Sequence, residues 1–181
     1  MQSVYIDDKK FELFLDSAAI AQQISETGKQ IAKEYGDKKP VFLCVLNGAY
    51  VFAADLLRQV DIPAEVSFIK LSSYAGTRST GSVKTMLGIN GDLYGRHVIL
   101  VEDIIDTGKT IHDLLPRVME HRPASVKIAC LLSKPAARTH AVDIDYTCFE
   151  IPDKFVIGFG LDCDGLGRNL PGIYALADAV I

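Results

Sequence analysis

From Asp16 to Tyr35 the apolar residues Ile20, Ile24, Ile31 and Ala32 recur at helical spacing, behind a cap at Asp16 or Ser17 and ahead of the stop signal Gly36. The spacing predicts one amphipathic helix. Val41-Phe42-Leu43-Cys44-Val45-Leu46 follows as an unbroken apolar run of strand length. It breaks at Asn47-Gly48 and leads into the helix-compatible stretch Ala49 to Leu57. A buried strand, a tight loop and a helix are expected in that order. The pattern then repeats: Ala64 to Leu71, His97 to Val101 and Val126 to Leu132 read as further strands, with a helical Lys109 to His121 between the last two. Strands alternating with helices imply an α/β fold, a parallel twisted sheet flanked by helices.

Between Ser72 and Ser82 the chain is too polar and Gly-rich for a core and longer than most connections, so a mobile functional loop is expected there. Past Ser133 the pattern becomes irregular. Tyr146 to Ile151 and Phe155 to Ile157 are short strand candidates, and the Gly-rich stretch Gly158 to Gly172 follows. Residues 133–181 are expected to form a small hood over the sheet, within one domain spanning 1–181 that no repeat or linker divides.

Composition sharpens this picture. With 181 residues, 49% of them hydrophobic and 23% charged, the chain has the makings of a packed core and is no disordered polyelectrolyte. A net charge of −4 provides no global positive field, so neither nucleic acid nor an anionic membrane surface is an expected partner, and any anion must be captured locally. Cys44, Cys130, Cys148 and Cys163 form no CxxC pair and mostly sit in apolar runs, which predicts buried free thiols in a reducing compartment. Met1 to Asp8 lacks the basic-then-apolar order of a secretory signal, and the longest apolar stretch is interrupted by Asn47, Gly48 and Asp55. A cytoplasmic protein without a membrane crossing is expected.

Candidate chemistry concentrates at one strand end. In Val98-Ile99-Leu100-Val101-Glu102-Asp103 an apolar strand closes on two acids, where the crevice of an open α/β sheet receives its ligand. Such acids either face water or meet a cation or hydroxyl donors. The turn Asp106-Thr107-Gly108-Lys109-Thr110 opens the next helix, so its N–H groups and the helix dipole can converge on an anion, unless the turn is an ordinary helix cap. Gly108 permits a close approach, and Lys109 either adds charge or points into solvent. A Walker A loop would need glycine at Asp103, and a dinucleotide fingerprint opening at Gly158-Phe159-Gly160 would need glycine at Cys163, so neither reading holds. His97, His112, His121 and His140 lack metal-ligand spacing and a nucleophile partner.

Val101 to Thr110, two acids, a short apolar step and then Asp-Thr-Gly-x-Thr, resembles the phosphoribosyl diphosphate (PRPP) motif of type I phosphoribosyltransferases. Leu46-Asn47-Gly48-Ala49, Ala54-Asp55-Leu56, Ser73-Tyr74, Ser79-Thr80-Gly81, Pro152 to Gly158 and Arg168-Asn169-Leu170 extend the likeness to the hypoxanthine-guanine branch of that family across Tyr5 to Tyr174.

That resemblance implies transfer of a phosphoribosyl group from PRPP to hypoxanthine or guanine, giving IMP or GMP and pyrophosphate in purine salvage, with Mg2+ as cofactor and a homodimer or homotetramer as the assembly. It implies Glu102 and Asp103 on the ribose hydroxyls and, with Asp162, on the metal. Asp106 becomes the general base beside purine N7. Asp106, Thr107, Gly108, Lys109 and Thr110 hold the 5-phosphate, Gly48 and Arg168 the pyrophosphate, and Ser73 and Tyr74 lead a lid over PRPP. Lys134 donates to the 6-oxygen, Phe155 stacks on the purine, and Val156 and Asp162 read its edge. Two positions depart from the family pattern: Asn47, where lysine is common, and Gly167, where an aromatic residue usually precedes the arginine. The alternative is a regulator of the same fold that binds RNA and senses nucleotides.

Overall fold

The computed structural model describes residues 2–72, 84–87 and 92–177. Asp16 caps the first helix, accepting from the Ala19 N–H at 2.8 Å, and Gly36 ends it at φ 43°. This helix, α1 (Ser17–Tyr35), buries Ile20, Ile24 and Ile31 of the predicted stripe together with Tyr35, while Ala32 is only partly covered. The apolar run becomes β3 (Val41–Leu46), and the turn after it leads into α2 (Tyr50–Gln59). β4 (Glu65–Ser72), β5 (Lys84–Leu87), β6 (His97–Ile105), α3 (Lys109–Glu120), β7 (Ser125–Ser133) and β8 (Tyr146–Glu150) follow.

Strands order as β5-β4-β3-β6-β7-β8. From β4 to β8 every neighbour is parallel, and only β5 runs antiparallel at the edge. Helices cover both faces: α1 and α2 pack with Phe42, Phe52, Leu56 and Ile99 on one, and Ile111, Leu114 and Val118 of α3 pack with Leu43 and Leu100 on the other. Each fully buried Leu, Ile or Phe contributes about 1.5–3 kcal/mol, so the two layers account for the continuous apolar runs. All four cysteines are free and buried, and burial pushes the Cys44 and Cys130 thiols up to about 12 and Cys148 to about 11. No helix among the described residues is long and apolar enough to cross a membrane.

A second, antiparallel sheet has the order β1-β2-β10-β9, built from β1 (Ser3–Ile6), β2 (Lys9–Leu15), β9 (Val156–Ile157) and β10 (Ile173–Leu176). Residues 133–181, expected to contribute a hood, supply β9 and β10 to this sheet. Half of its strands come from the N-terminus, and Tyr146–Glu150, assigned to the hood from its position in the chain, pairs in parallel with β7 in the large sheet. The N-terminal pair is a two-residue hairpin, with Ile6 opposite Lys9 and Asp7 at φ 51°. A small core of Phe11, Ile157, Cys163 and Tyr174 holds this sheet together.

Candidate active site

The large sheet parts between β3 and β6. Their pairing stops at Cys44 opposite Val101, whereas β3 continues along β4 to Leu46 and β6 continues along β7 to Ile105. This is the switch point of the strand order, and it opens a crevice at the carboxyl ends of the strands. Glu102 and Asp103 stand at that level. They lie inside β6 rather than at its solvated end, because β6 runs four residues beyond the expected Val101.

Glu102 is 6% exposed, and its Oε2 has no hydrogen-bond partner among the described residues. Burial, reinforced by the charge of Asp103, pushes its carboxyl well above the usual range. Asp103 is raised to about 6 by burial, and its Oδ1 accepts from the Ile104 N–H at 3.0 Å. Gly48, after the cis peptide between Leu46 and Asn47, lies against its other oxygen: a Cβ on Gly48 would sit 1.6 Å from Asp103 Oδ2. A buried carboxylate without a partner suits a cation or sugar hydroxyls, and magnesium takes few protein oxygens when a ligand's phosphates supply the rest. The described residues contain no cluster of three metal-ligating side chains. Asp162 is near enough for Asp103 to feel its charge, but its Oδ1 pairs with Arg168 at 2.7 Å and its Oδ2 accepts from the Gly165 N–H at 2.7 Å.

Beyond β6 the chain turns through Asp106 and Thr107 to Gly108, which caps α3 at φ 83° without a side-chain cap. Thr107 Oγ1 accepts from the Lys109 N–H at 3.3 Å, and the N–H groups of Thr110 and Ile111 stay open to an anion. A cavity of about 220 Å³ lined by residues from Glu102 to Ile111 lies over them. Thr107 and Thr110 are exposed here, whereas Lys109 turns its ammonium onto Asp113 at 2.8 Å, a helical i,i+4 pair.

Arg138, to which sequence reasoning gave no role, supports this turn from behind. It donates to the carbonyls of Asp106 at 3.2 Å and Ile105 at 3.4 Å and to Ser133 Oγ at 3.0 Å. The N–H groups of Thr139 and His140 both reach the Thr107 carbonyl at 3.0 Å, and a Cβ on Gly108 would meet the His140 carbonyl at 2.7 Å. Glycine is required there by both the contact and the left-handed backbone. Only the closeness of Arg138 to Lys134 in sequence hinted at it.

On the β6 side of the crevice Lys134, only 5% exposed, leaves the end of β7 next to Ile105 and brings Nζ to 3.2 Å from Asp106 Oδ2 and 3.3 Å from Asp153 Oδ1. Phe155 presents a ring that is 49% exposed and tilts 48° against buried Phe11, centroids 6.1 Å apart. Val156 is buried in β9, opposite Ala175. Arg168 donates to the Gly160 carbonyl at 2.7 Å, and Gly160 crowds Gly48, whose carbonyl would be 2.1 Å from a Cβ at 160. Gly167, at φ 93°, holds a backbone that the aromatic residue common in the family adopts only under strain. Ser73, Tyr74 and the rest of the expected lid from 73 to 82 lie outside the described residues.

A parallel sheet with acids at its switch point, an open helix N-terminus and a nearby cation form a crevice with the chemistry to take an anion and hydroxyl groups. Residues 12–164 match the family model described as Phosphoribosyl transferase domain, and the chain belongs to that family. It is similar to the hypoxanthine-guanine phosphoribosyltransferase of Lactococcus lactis, with 42% identity over 175 residues covering 96% of this chain and 95% of that protein. The Streptococcus pneumoniae enzyme of the same name is 43% identical over 162 residues, 89% of this chain and 90% of that one. Among solved structures, a hypoxanthine-guanine phosphoribosyltransferase from Bacillus anthracis superimposes with a TM-score of 0.87 at 36% identity, covering 92% of this chain and 98% of that chain.

Proposed function

We propose that this chain transfers the 5-phosphoribosyl group of PRPP to the N9 of a 6-oxopurine, hypoxanthine or guanine, releasing pyrophosphate and giving IMP or GMP for purine salvage. The observation that carries the reading is the pairing of Lys134 with Asp106 at 3.2 Å beside the open N-terminus of α3, since it sets a proton donor and a proton acceptor next to a phosphate site. The relatives named above support the reaction class.

In this reading the N–H groups of Thr107 to Thr110 bind the 5-phosphate, and Glu102 and Asp103 accept from the ribose hydroxyls as the ring flattens toward an oxocarbenium-like state. The orphaned Oε2 of Glu102 supports that assignment. Lys134 donates to the 6-oxygen, which selects an oxo group over an amine because an amine cannot accept from an ammonium. Phe155 stacks on the base, and Val156 and Asp162 read its edge. Asp106 takes the proton from N7 while the C1′–N9 bond forms and the bond from C1′ to pyrophosphate breaks. Gly48 offers backbone to the pyrophosphate and Arg168 its guanidinium, and Ser73 and Tyr74 close over PRPP. Glu102 and Asp103, with Asp162, would hold Mg2+, which when bound neutralises charge building on the leaving pyrophosphate.

A self-associated, cytoplasmic protein belongs to the same reading. The exposed apolar side chains Val66 and Phe68, two apart on one face of β4, and Tyr50 on α2 support the homodimer or homotetramer. Nothing in the site favours the RNA-binding alternative. The deciding experiment is pyrophosphate release from PRPP and Mg2+ across a panel of purines, on wild type and Asp106→Asn. Release with hypoxanthine or guanine and not adenine is expected, with Asp106→Asn slowed about 100-fold or more. Silence with every 6-oxopurine would overturn the reading.

A further inference from the structure

We infer that Asp153 is a positioning residue for base recognition: it shares the Lys134 ammonium with Asp106, so that Lys134 can turn to the purine and release Asp106. The inference rests on the roles of Lys134 and Asp106 proposed above.

The juxtaposition follows from the sheet. β7 and β8 are parallel, with Ser133 opposite Glu150, and the Ile151 N–H donates to the Ser133 carbonyl at 2.9 Å. The chain leaving β8 therefore runs beside the chain leaving β7. Asp153 arrives at Lys134 while Phe155 and Val156, just beyond it, enter the base pocket. Asp153 keeps 64% of its side chain exposed, so its carboxylate contributes little to core packing. Lys134 is the opposite case, a nearly enclosed cation that needs paired charge around it.

An ammonium has three protons and no acceptor. Here two of them face Asp106 Oδ2 at 3.2 Å and Asp153 Oδ1 at 3.3 Å, which leaves one for a ligand oxygen. Were Asp106 the sole partner, the ammonium would settle on the oxygen that has to accept the N7 proton and would compete with the base for it. With Asp153 on the other side, the ammonium can move toward Asp153 and the incoming 6-oxygen and release Asp106. Asp153 thus acts through Lys134 and touches neither the sugar nor the phosphate.

The test is a double-mutant cycle read by calorimetric binding of IMP to wild type, Asp153→Asn, Lys134→Gln and the double variant, with Asp153→Glu as the conservative rescue and melting curves as the check on folding. Asp153→Asn is expected to weaken IMP about 5- to 20-fold in the wild-type background and less than about twofold in the Lys134→Gln background. Asp153→Glu should return affinity to within about threefold of wild type, and kcat with hypoxanthine should fall about tenfold in Asp153→Asn while the KM for PRPP stays within about twofold. An equal loss of IMP affinity in both backgrounds, or none in the first, would overturn the inference. A wild type that neither binds IMP nor turns over a 6-oxopurine is a different result: it removes the phosphoribosyltransfer reading itself.

Discussion

Gly48 lies flat against the carboxylate of Asp103, so closely that a single methyl group on Gly48 would occupy the space of Asp103 Oδ2. The contact joins the turn after β3 to the acidic step of β6 across the parting of the sheet. In Gly48→Ala the carboxylate must swing away or the turn must withdraw, and both movements disturb the sugar and pyrophosphate subsites. The expected result is a fall in kcat/KM for PRPP of about 100-fold or more, because misplacement of about 1 Å is costly in a preorganised site. The turn is partly exposed, so melting should shift by only a few degrees. Steady-state kinetics beside a thermal melt decide it, and near-wild-type turnover would show that the turn gives way freely.

Glu102 and Asp103 make the metal-free protein less stable as pH rises. Both carboxyls have folded values above their ordinary ones, so the folded state binds more protons than the unfolded chain. The stability these two groups contribute is therefore greatest at low pH. The Asp103 contribution is lost between its ordinary 3.8 and about 6, and the Glu102 contribution declines from 4.5 upward. Glu102→Gln removes the second of these. In the presence of a chelator its unfolding free energy should match wild type near pH 4 and exceed it at pH 8 by about 1–3 kcal/mol, the cost of an unpartnered buried charge, while turnover falls. A variant that melts below wild type at pH 8 would contradict this account.

Arg138 carries the phosphate turn on its guanidinium. Charged donors to backbone carbonyls contribute about 1.5–3 kcal/mol, so Arg138→Gln should lower the melting temperature by about 3–10 °C. It should also raise the KM for PRPP about tenfold or more while affecting the KM for the base less. Comparing the two KM values checks the assignment, since a general loss of structure would raise both.

Phe11 backs the ring of Phe155. Phe11→Ala opens a hole in the small core of the second sheet and should cost about 3–5 kcal/mol. Phe155→Ala leaves that core closed, and its effect should fall on the KM for hypoxanthine, about fivefold to twentyfold, rather than on stability. Denaturant unfolding and base titrations on the two variants separate backing from stacking.

How much of this was legible depended on whether the signal was local. α1 carries its own stripe and cap, β3 is continuously apolar, and Asp106 to Thr110 announces an open helix start within five residues. Glu102 and Asp103 were found by adjacency, but their burial was not, because continuation of β6 to Ile105 depends on the partner strand β7. The hairpin of β1 and β2 escaped notice because the alternation of Lys10, Phe11, Glu12 and Leu13 is too short, ending at Phe14, and leaves Phe11 as its one fully buried residue. Tyr146–Glu150 was placed in the wrong sheet for a related reason, since nothing in five residues states which edge they join. Arg138 spends most of its donors on carbonyls, which every residue has, so no side-chain pattern betrays it.

The second sheet, which joins β2 to β10, has a consequence for how the chain is made. The first hairpin is made before every other strand described, yet the strand that completes its sheet is the last one described. At about 5–20 residues per second the hairpin waits on the order of ten seconds or more for that partner. The large sheet can close in the meantime, because its strands become available nearly in order. Phe155 gains its Phe11 backing only with the hairpin in place, so the nascent protein has its phosphate cradle before its purine clamp, and a chain that stalls short of Ile173 holds the first without the second.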